Sequence, residues 1–234
     1  YILGLLWADG TIGTREKGDK KGNACILKIA TEDFSTIEEK FLETAKWNII
    51  NQKRRSPNAK KMTEARISDL SLGNFLYKMD YHKKSHKIGP DKILDFLGDK
   101  LQPHFIRGLF DGDGCATSYK GNLKFFITAA YDINWDYIQK IFKNLGIKHY
   151  IGAHKKLGRS EINIHNQSGI RKIYEYMYKN DCVSLKRKKI KFEEYFKAKD
   201  LFKKKCSSKY RGVSRGKKNK WSCQVYDKIR KKSS

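Results

Sequence analysis

The densest apolar stretches of the chain come twice. Ile2-Leu3-Gly4-Leu5-Leu6-Trp7-Ala8-Asp9-Gly10 is followed much later by Phe105-Ile106-Arg107-Gly108-Leu109-Phe110-Asp111-Gly112-Asp113-Gly114. The two coincide at Gly4/Gly108, Leu5/Leu109, Asp9/Asp113 and Gly10/Gly114, each pair offset by 104. Each is followed by a polar turn and a β-rich run, at 24–31 and at 123–130. Amphipathic helices are expected next, near 34–46 and 132–145. Ile37, Phe41 and Leu42 space one apolar face, and Ile138, Ile141, Phe142 and Leu145 the other. Further strands are expected near 48–55 and 64–70, then near 147–156 and 161–165. Helices near 72–79 and 168–178 close the two halves, and a basic helix near 184–199 ends the second. An internal repeat of this length is too long for a solenoid. The pattern predicts an α+β fold of two αββαββα repeats related by a pseudo-two-fold.

The boundaries follow: 1–80 for the first repeat, 81–102 for a linker containing His82, Lys83, Lys84, Lys87, Gly89 and Pro90, and 103–200 for the second repeat. From 201 to 234 the composition changes. Thirteen Lys or Arg face one acid, Asp227, so these residues hold +12 of the formal net charge of +26. This reads as an appendage reached through 203–208.

Charge decides the partner class. With 51 Lys and Arg against 25 Asp and Glu, a polyanion is expected, nucleic acid ahead of an anionic membrane. Aromatics at 12% mean that a core must pack despite the charge. No apolar run approaches the roughly 20 residues of a membrane helix, and the stretch 2–8 is too short and lacks the basic flank of a signal peptide. Cys25, Cys115, Cys182, Cys206 and Cys223 are odd in number and contain no CxxC pair, so reduced cysteines in an intracellular protein are expected. The chain has no initial Met and opens in an apolar segment, as a fragment or processed piece would.

Read as helices, the repeated segments place Gly4 and Ala8 on one face and Gly108 and Gly112 on the other helix's matching face. Small residues four apart let two helix backbones approach closely. Each helix then ends at Asp-Gly, where glycine suits a left-handed C-terminal position. Asp9 and Asp113 would sit at the last turns of two touching helices. A carboxylate there opposes the helix dipole at a cost of about 0.3–1 kcal/mol, and two facing carboxylates repel further. Divalent cations reverse the sign, because Mg²⁺ accepts carboxylates, helix-end carbonyls such as those of Ala8 and Gly112, water and phosphate oxygens.

These segments resemble the paired motifs of the LAGLIDADG homing endonucleases, in the single-chain form with two motifs. The resemblance spans roughly 1–200. Gly108-Leu109-Phe110-Asp111-Gly112-Asp113-Gly114 is close to the family pattern. Gly4-Leu5-Leu6-Trp7-Ala8-Asp9-Gly10 places Trp7 where an acid is common, but keeps the final acid that the family uses for metal. The resemblance implies a β-saddle straddling the major groove of a long double-stranded DNA site. It implies a monomer cutting both strands with Mg²⁺, or Mn²⁺ as a substitute, and leaving short 3′ overhangs. The setting would be a mobile genetic element, with intron-encoded, intein and freestanding genes all open, in a nucleus, an organelle or a virus-infected cytoplasm. It further implies a basic residue about 75 positions after each acid. Lys84 lies 75 after Asp9 and Lys186 lies 73 after Asp113, with Lys83 and Lys188 as neighbouring alternatives.

Strands that contact DNA alternate residues into the groove and into the core. The candidates are Arg15, Lys17, Lys28, Lys53, Arg55 and Arg66 in the first half. In the second they are Tyr119, Lys124, His154, Lys156, Arg159 and Asn163. Arg and Lys suit guanine or phosphate, and Asn suits adenine. In the tail, Ser208-Lys209-Tyr210-Arg211-Gly212-Val213-Ser214-Arg215 precedes Lys220-Trp221-Ser222-Cys223, with 216–219 as a hairpin turn. This resembles the opening of an AP2-type DNA-binding domain, truncated here, in which Arg211, Arg215 and Trp221 would contact DNA. Two rival functions use the same fold: an RNA-binding intron maturase, and a regulator that binds DNA without cutting it.

Overall fold

The computed structural model describes residues 1–12, 24–52, 56–84, 88–119, 121–179, 182–206, 213–215 and 221–223. The chain divides into two units, Tyr1–Phe192 and Glu193–Ser234.

In the first unit, α1 (Ile2–Asp9) leads directly into β1 (Gly10–Ile12). β2 (Ala24–Ala30), α2 (Thr31–Ser35), α3 (Glu38–Leu42), β3 (Asn48–Asn51), β4 (Met62–Ser68) and α4 (Leu70–Lys78) complete the first repeat. A 3₁₀ turn (Tyr81–Lys83) precedes α5 (Asp91–Asp113). Then come β5 (Gly114–Tyr119), β6 (Asn122–Ala130), α6 (Asp136–Asn144), β7 (Tyr150–His154), β8 (Arg159–Ile164) and α7 (Gln167–Tyr178), and α8 (Lys186–Cys206) begins in this unit and runs past its boundary at Phe192. The sheets have strand orders β1-β2-β4-β3 and β5-β6-β8-β7, fully antiparallel and topologically identical. The fold is α+β with two repeats, as the periodicity predicts.

Differences from the sequence reading have local causes. The amphipathic stretch at 34–46 breaks into α2 and α3, and Leu42 is exposed while Ile37 and Phe41 are buried. Much of the expected linker is helical. α5 begins at Asp91 and kinks at Gly98, whose φ of 62° and ψ of 173° are reached most cheaply without a side chain. α8 runs on through Cys206, into the stretch read as a linker.

Each repeat buries its motif helix against its own sheet. In the second, Phe110 stacks on Phe125 at 4.8 Å and meets Phe192 edge-on at 5.7 Å. In the first, Leu5, Leu27, Phe34, Phe41 and Ala65 are buried. Arg187, at the start of α8, donates through Nε and Nη2 to both oxygens of Asp33 on α2, at 2.6 and 2.8 Å. Such a two-point pair ties the repeats together with defined geometry.

The second unit contains β9 (Val213–Arg215) and β10 (Trp221–Cys223), antiparallel with Trp221 opposite Arg215. This agrees with the expected hairpin strands. The turn at 216–219 and Arg211 lie outside the described residues. Among the described residues, no helix is long and apolar enough to cross a membrane, and Cys25, Cys115 and Cys182 are free thiols.

Candidate active site

α1 and α5 touch through their glycines. A Cβ on Gly4 would strike the carbonyl oxygen of Phe105 and come within 2.9 Å of Leu109 N. A Cβ on Gly108 would strike the carbonyl of Tyr1 and come within 2.8 Å of Leu5 N. The contact is reciprocal, as a two-fold requires. One turn on, a Cβ on Gly112 would strike the Ala8 methyl and lie 3.1 Å from Asp9 Oδ2. The carboxylate of one helix therefore lies against the backbone of the other, and the glycine spacing of the sequence is realised at backbone level.

The helix ends differ from expectation. Gly10 (φ −87°, ψ 162°) and Gly114 (φ −92°, ψ 162°) are extended, not left-handed, because each helix passes straight into a strand. Glycine is needed for space. A Cβ on Gly10 would meet Tyr81 Oη at 2.5 Å and Leu6 O at 2.6 Å, and one on Gly114 would strike the Phe110 ring.

Asp9 and Asp113 both reach solvent, yet surrounding protein displaces much of their hydration. Desolvation raises the pKa of Asp113 to about 6, with Asp9's charge adding to the rise while Lys84 and Lys188 oppose it. Asp9 is raised too, first by desolvation, against Lys188, Lys84 and Arg187. Asp9 Oδ2 lies against Gly112, the chain neighbour of Asp113, so the charge of one carboxylate disfavours that of the other. A cleft of about 150 Å³ adjoins Asp113 and Lys84, floored by Leu109, Ile127 and Trp135.

Each helix end also receives a lysine. Lys84 Nζ donates to the carbonyls of Trp7 (2.7 Å), Ala8 (3.0 Å) and Leu6 (3.3 Å). Lys188 Nζ donates to those of Gly114 (2.6 Å), Phe110 (2.8 Å) and Gly112 (3.1 Å). Leu6 O and Phe110 O also accept the capping N–H groups of Gly10 and Gly114. The carbonyls of Trp7, Ala8 and Gly112 belong to last helical turns, where helical donors run out, and a cation there also favours the dipole. Burial pulls both ammonium groups down to about 8. Asp113 and Asp9 pull Lys84 back up, as Asp111 does Lys188. Both remain mostly charged at neutral pH.

The pairing corrects one assignment. Lys186 is exposed and lines a cavity with Tyr1, His104 and Arg107. It does not reach the acids. Residues two apart on a helix point about 200° apart, so Lys186 and Lys188 cannot share a face. The signal was in the sequence: Lys188 lies 75 after Asp113, as Lys84 does after Asp9, and 188 is 84 plus the repeat offset of 104. Lys83 is bound instead to Asp80, at 3.2 Å. The carbonyls of Ala8 and Gly112, candidate metal ligands, each already accept a lysine.

The inner motif position is asymmetric. Trp7 is buried edge-on to the Tyr81 ring at 5.7 Å, and Tyr81 Oη donates to Leu6 O at 2.6 Å. Its counterpart Asp111 is 2% exposed and accepts from Tyr1 Oη and Leu185 N, both at 2.8 Å. Apolar packing on one side is replaced by hydrogen bonds on the other. Both fix the segment that delivers the lysine.

Among the described residues no three His, Cys, Asp or Glu side chains cluster as a metal site. Two carboxylates beside helix-end carbonyls nevertheless form an all-oxygen donor set, which suits a hard divalent cation completed by water and phosphate.

Residues 101–178 match the family model of the LAGLIDADG-like domain.

The matched stretch holds the second motif and most of the second repeat. No curated protein matches the chain in sequence. Solved structures do match in fold. The I-SmaMI LAGLIDADG homing endonuclease bound to cleaved DNA is 15% identical, with 87% of this chain and 89% of that chain covered at a TM-score of 0.53. I-SmaMI bound to an uncleaved DNA target in the presence of calcium ions is 16% identical, covering 87% and 91%, at 0.52. I-DmoI in complex with DNA and Mn is 18% identical, covering 76% and 94%, at 0.55. The chain has the LAGLIDADG fold.

The candidate DNA-contacting residues divide into four groups. Lys28, Arg66, Lys124, His154, Arg159 and Asn163 share the sheet faces turned away from the core, because their register partners alternate with the buried Leu27, Ala65, Ile127 and Ile162. Lys156 is exposed in the 3₁₀ turn Lys155–Leu157. Tyr119, Arg215 and Trp221 lie in strands. Arg15, Lys17, Lys53, Arg55 and Arg211 lie outside the described residues.

Proposed function

We propose that the chain is a site-specific endonuclease that hydrolyses both strands of double-stranded DNA with a divalent metal ion, Mg²⁺ in the cell and Mn²⁺ as a substitute. One observation carries this reading. Two acids 104 residues apart are brought together at the ends of two packed helices, each with its own lysine, and the flanking sheets carry basic residues on their non-core faces.

Asp9 and Asp113 would hold the metal, with the Ala8 and Gly112 carbonyls shared between it and the lysines. The bound ion supplies Lewis-acid charge at the scissile phosphate and a more acidic water. Lys84 and Lys188 fix both helix ends and keep positive charge beside the place where phosphorane charge develops. The basic sheet faces hold a long duplex in register, so that positioning contributes as well as charge. Two half-sites need two repeats, and one chain supplies both, so the active species is a monomer. The tail hairpin, read as AP2-like, adds DNA contacts of its own.

The test is cleavage of a randomised duplex library by the chain and its Asp113→Asn variant, in Mg²⁺ and in Ca²⁺. Mg²⁺-dependent double-strand cuts at one enriched site, lost in the variant, are expected. Selective binding in Ca²⁺ without cutting in Mg²⁺ makes the protein a regulator. Indifference to duplex DNA with tight RNA binding makes it a maturase.

A further inference from the structure

The strands described in the first unit are short of negative charge. Across β1 to β8, two acids occur, Glu64 on β4 and Glu161 on β8. They occupy equivalent positions. Gly10 pairs with Leu27 and Gly114 with Ile127, which equates Leu27 with Ile127 and the next residues, Lys28 with Thr128. Lys28 pairs with Glu64, and Thr128 pairs with Glu161. Both acids therefore sit at one register position of the non-core faces, which the proposed function gives to DNA.

A carboxylate facing a polyanion is unfavourable unless it organises neighbours or accepts from a base. Their surroundings differ. Glu64 accepts from Gln52 Nε2 at 2.8 Å and Arg66 Nη2 at 2.9 Å, and Lys28 Nζ lies 3.3 Å away. Its side chain is 7% exposed and Arg66's is 46%. This acid is covered by the Gln52 amide and two cations, and the groups that face outward are the Lys28 ammonium and the Arg66 guanidinium, 48% and 46% exposed. Glu161 accepts from Asn163 Nδ2 at 3.1 Å and lies 3.6 Å from His154 Nε2. Its side chain is 21% exposed and lies over its strand neighbour on β7, Gly152, where a Cβ would come within 3.2 Å of Glu161 Cγ. Here the carboxylate itself reaches the surface.

We infer that Glu64 and Glu161 set base preference at equivalent steps of the two half-sites with opposite sense. Glu64 positions Arg66 to read guanine, and Glu161 accepts from a base bearing a major-groove amine, cytosine or adenine. The inference rests on the DNA-binding reading and makes the target asymmetric at this step.

The experiment is selection of duplexes from a randomised library in Ca²⁺, without cleavage, by the full chain and by Arg66→Ala, Glu64→Gln and Glu161→Gln, with melting curves for each. The wild-type chain should enrich a site with guanine at one step and cytosine or adenine at its mirror step. Arg66→Ala and Glu64→Gln should relax the same guanine position by about tenfold or more. Glu161→Gln should relax only the mirror position. A merely structural role would lower affinity evenly across sequences and leave the preferences intact, which would overturn the inference. So would the same base in both halves. If the wild-type chain enriches no duplex at all, the DNA-binding reading itself falls, and the inference with it.

Discussion

At the residue scale, the two acids are a liability to the metal-free fold. Asp113 has a folded-state pKa near 6 against 3.8 for the free side chain, so between these values the folded protein binds more protons than the unfolded chain. Its effect on stability is most favourable below 3.8 and is lost as pH rises through 6. Asp113→Asn should therefore stabilise the metal-free protein at pH 7 by on the order of 1 kcal/mol after solvent screening, seen as a higher Tm. That gain should vanish as pH falls toward 4. Calorimetry across this range checks it, and divalent-ion affinity of the wild-type chain should fall below about pH 6 in the same titrations. The lysines give a paired test. Lys188→Met removes a buried cation from three carbonyls and should cost both Tm and cleavage, the latter by roughly 100-fold or more. Lys186→Met alters an exposed side chain and should leave both nearly unchanged.

At the element scale, the α1–α5 contact is the part least tolerant of volume. Gly4 and Gly108 each face the partner helix's backbone, which cannot rotate away as a side chain can. Gly108→Ala should destabilise the fold by about 1–3 kcal/mol in urea unfolding and displace Asp113 from Asp9. Gly121 is a useful contrast, since nothing lies within 4 Å of its Cβ position and its φ of 74° is the remaining cost of a side chain. Asp111 and Trp7 show that equivalent helix positions need not share chemistry. Each fixes the segment carrying a lysine, by hydrogen bonding to Leu185 N in one repeat and by ring packing against Tyr81 in the other.

At the scale of the whole molecule, charge dominates. A chain of net charge +26 that grips phosphates releases many counterions, so DNA affinity should fall steeply and linearly in log–log plots against salt. Lys28→Gln should reduce that slope by about 0.9 if Lys28 contacts a phosphate. Fluorescence anisotropy at several salt concentrations measures both. Segregation lets so basic a chain fold. The buried apolar residues come from α1, α5, the core faces of the two sheets and the helices packed on them, while Lys28, Arg66, Lys124 and Arg159 stand on the opposite sheet faces.

Sequence alone determined the repeat, because an offset of 104 relates helix, acid and glycine in both halves. It also determined the class of elements, because period-2 and period-3.6 patterns are local properties of the chain. The helix contact was legible as well, since only small residues at that spacing permit it. Three matters were left to the tertiary structure. Which of Lys186 and Lys188 faces the acids depends on the phase of α8 against α5, although the offset of 104 held the answer. The extended Asp-Gly ends depend on the strand that follows each helix. The matched glutamates appear only when strand register is known, because Glu64 and Glu161 lie 97 apart, not 104. Intervening loops of unequal length erase that correspondence from the sequence, and backbone hydrogen bonding restores it.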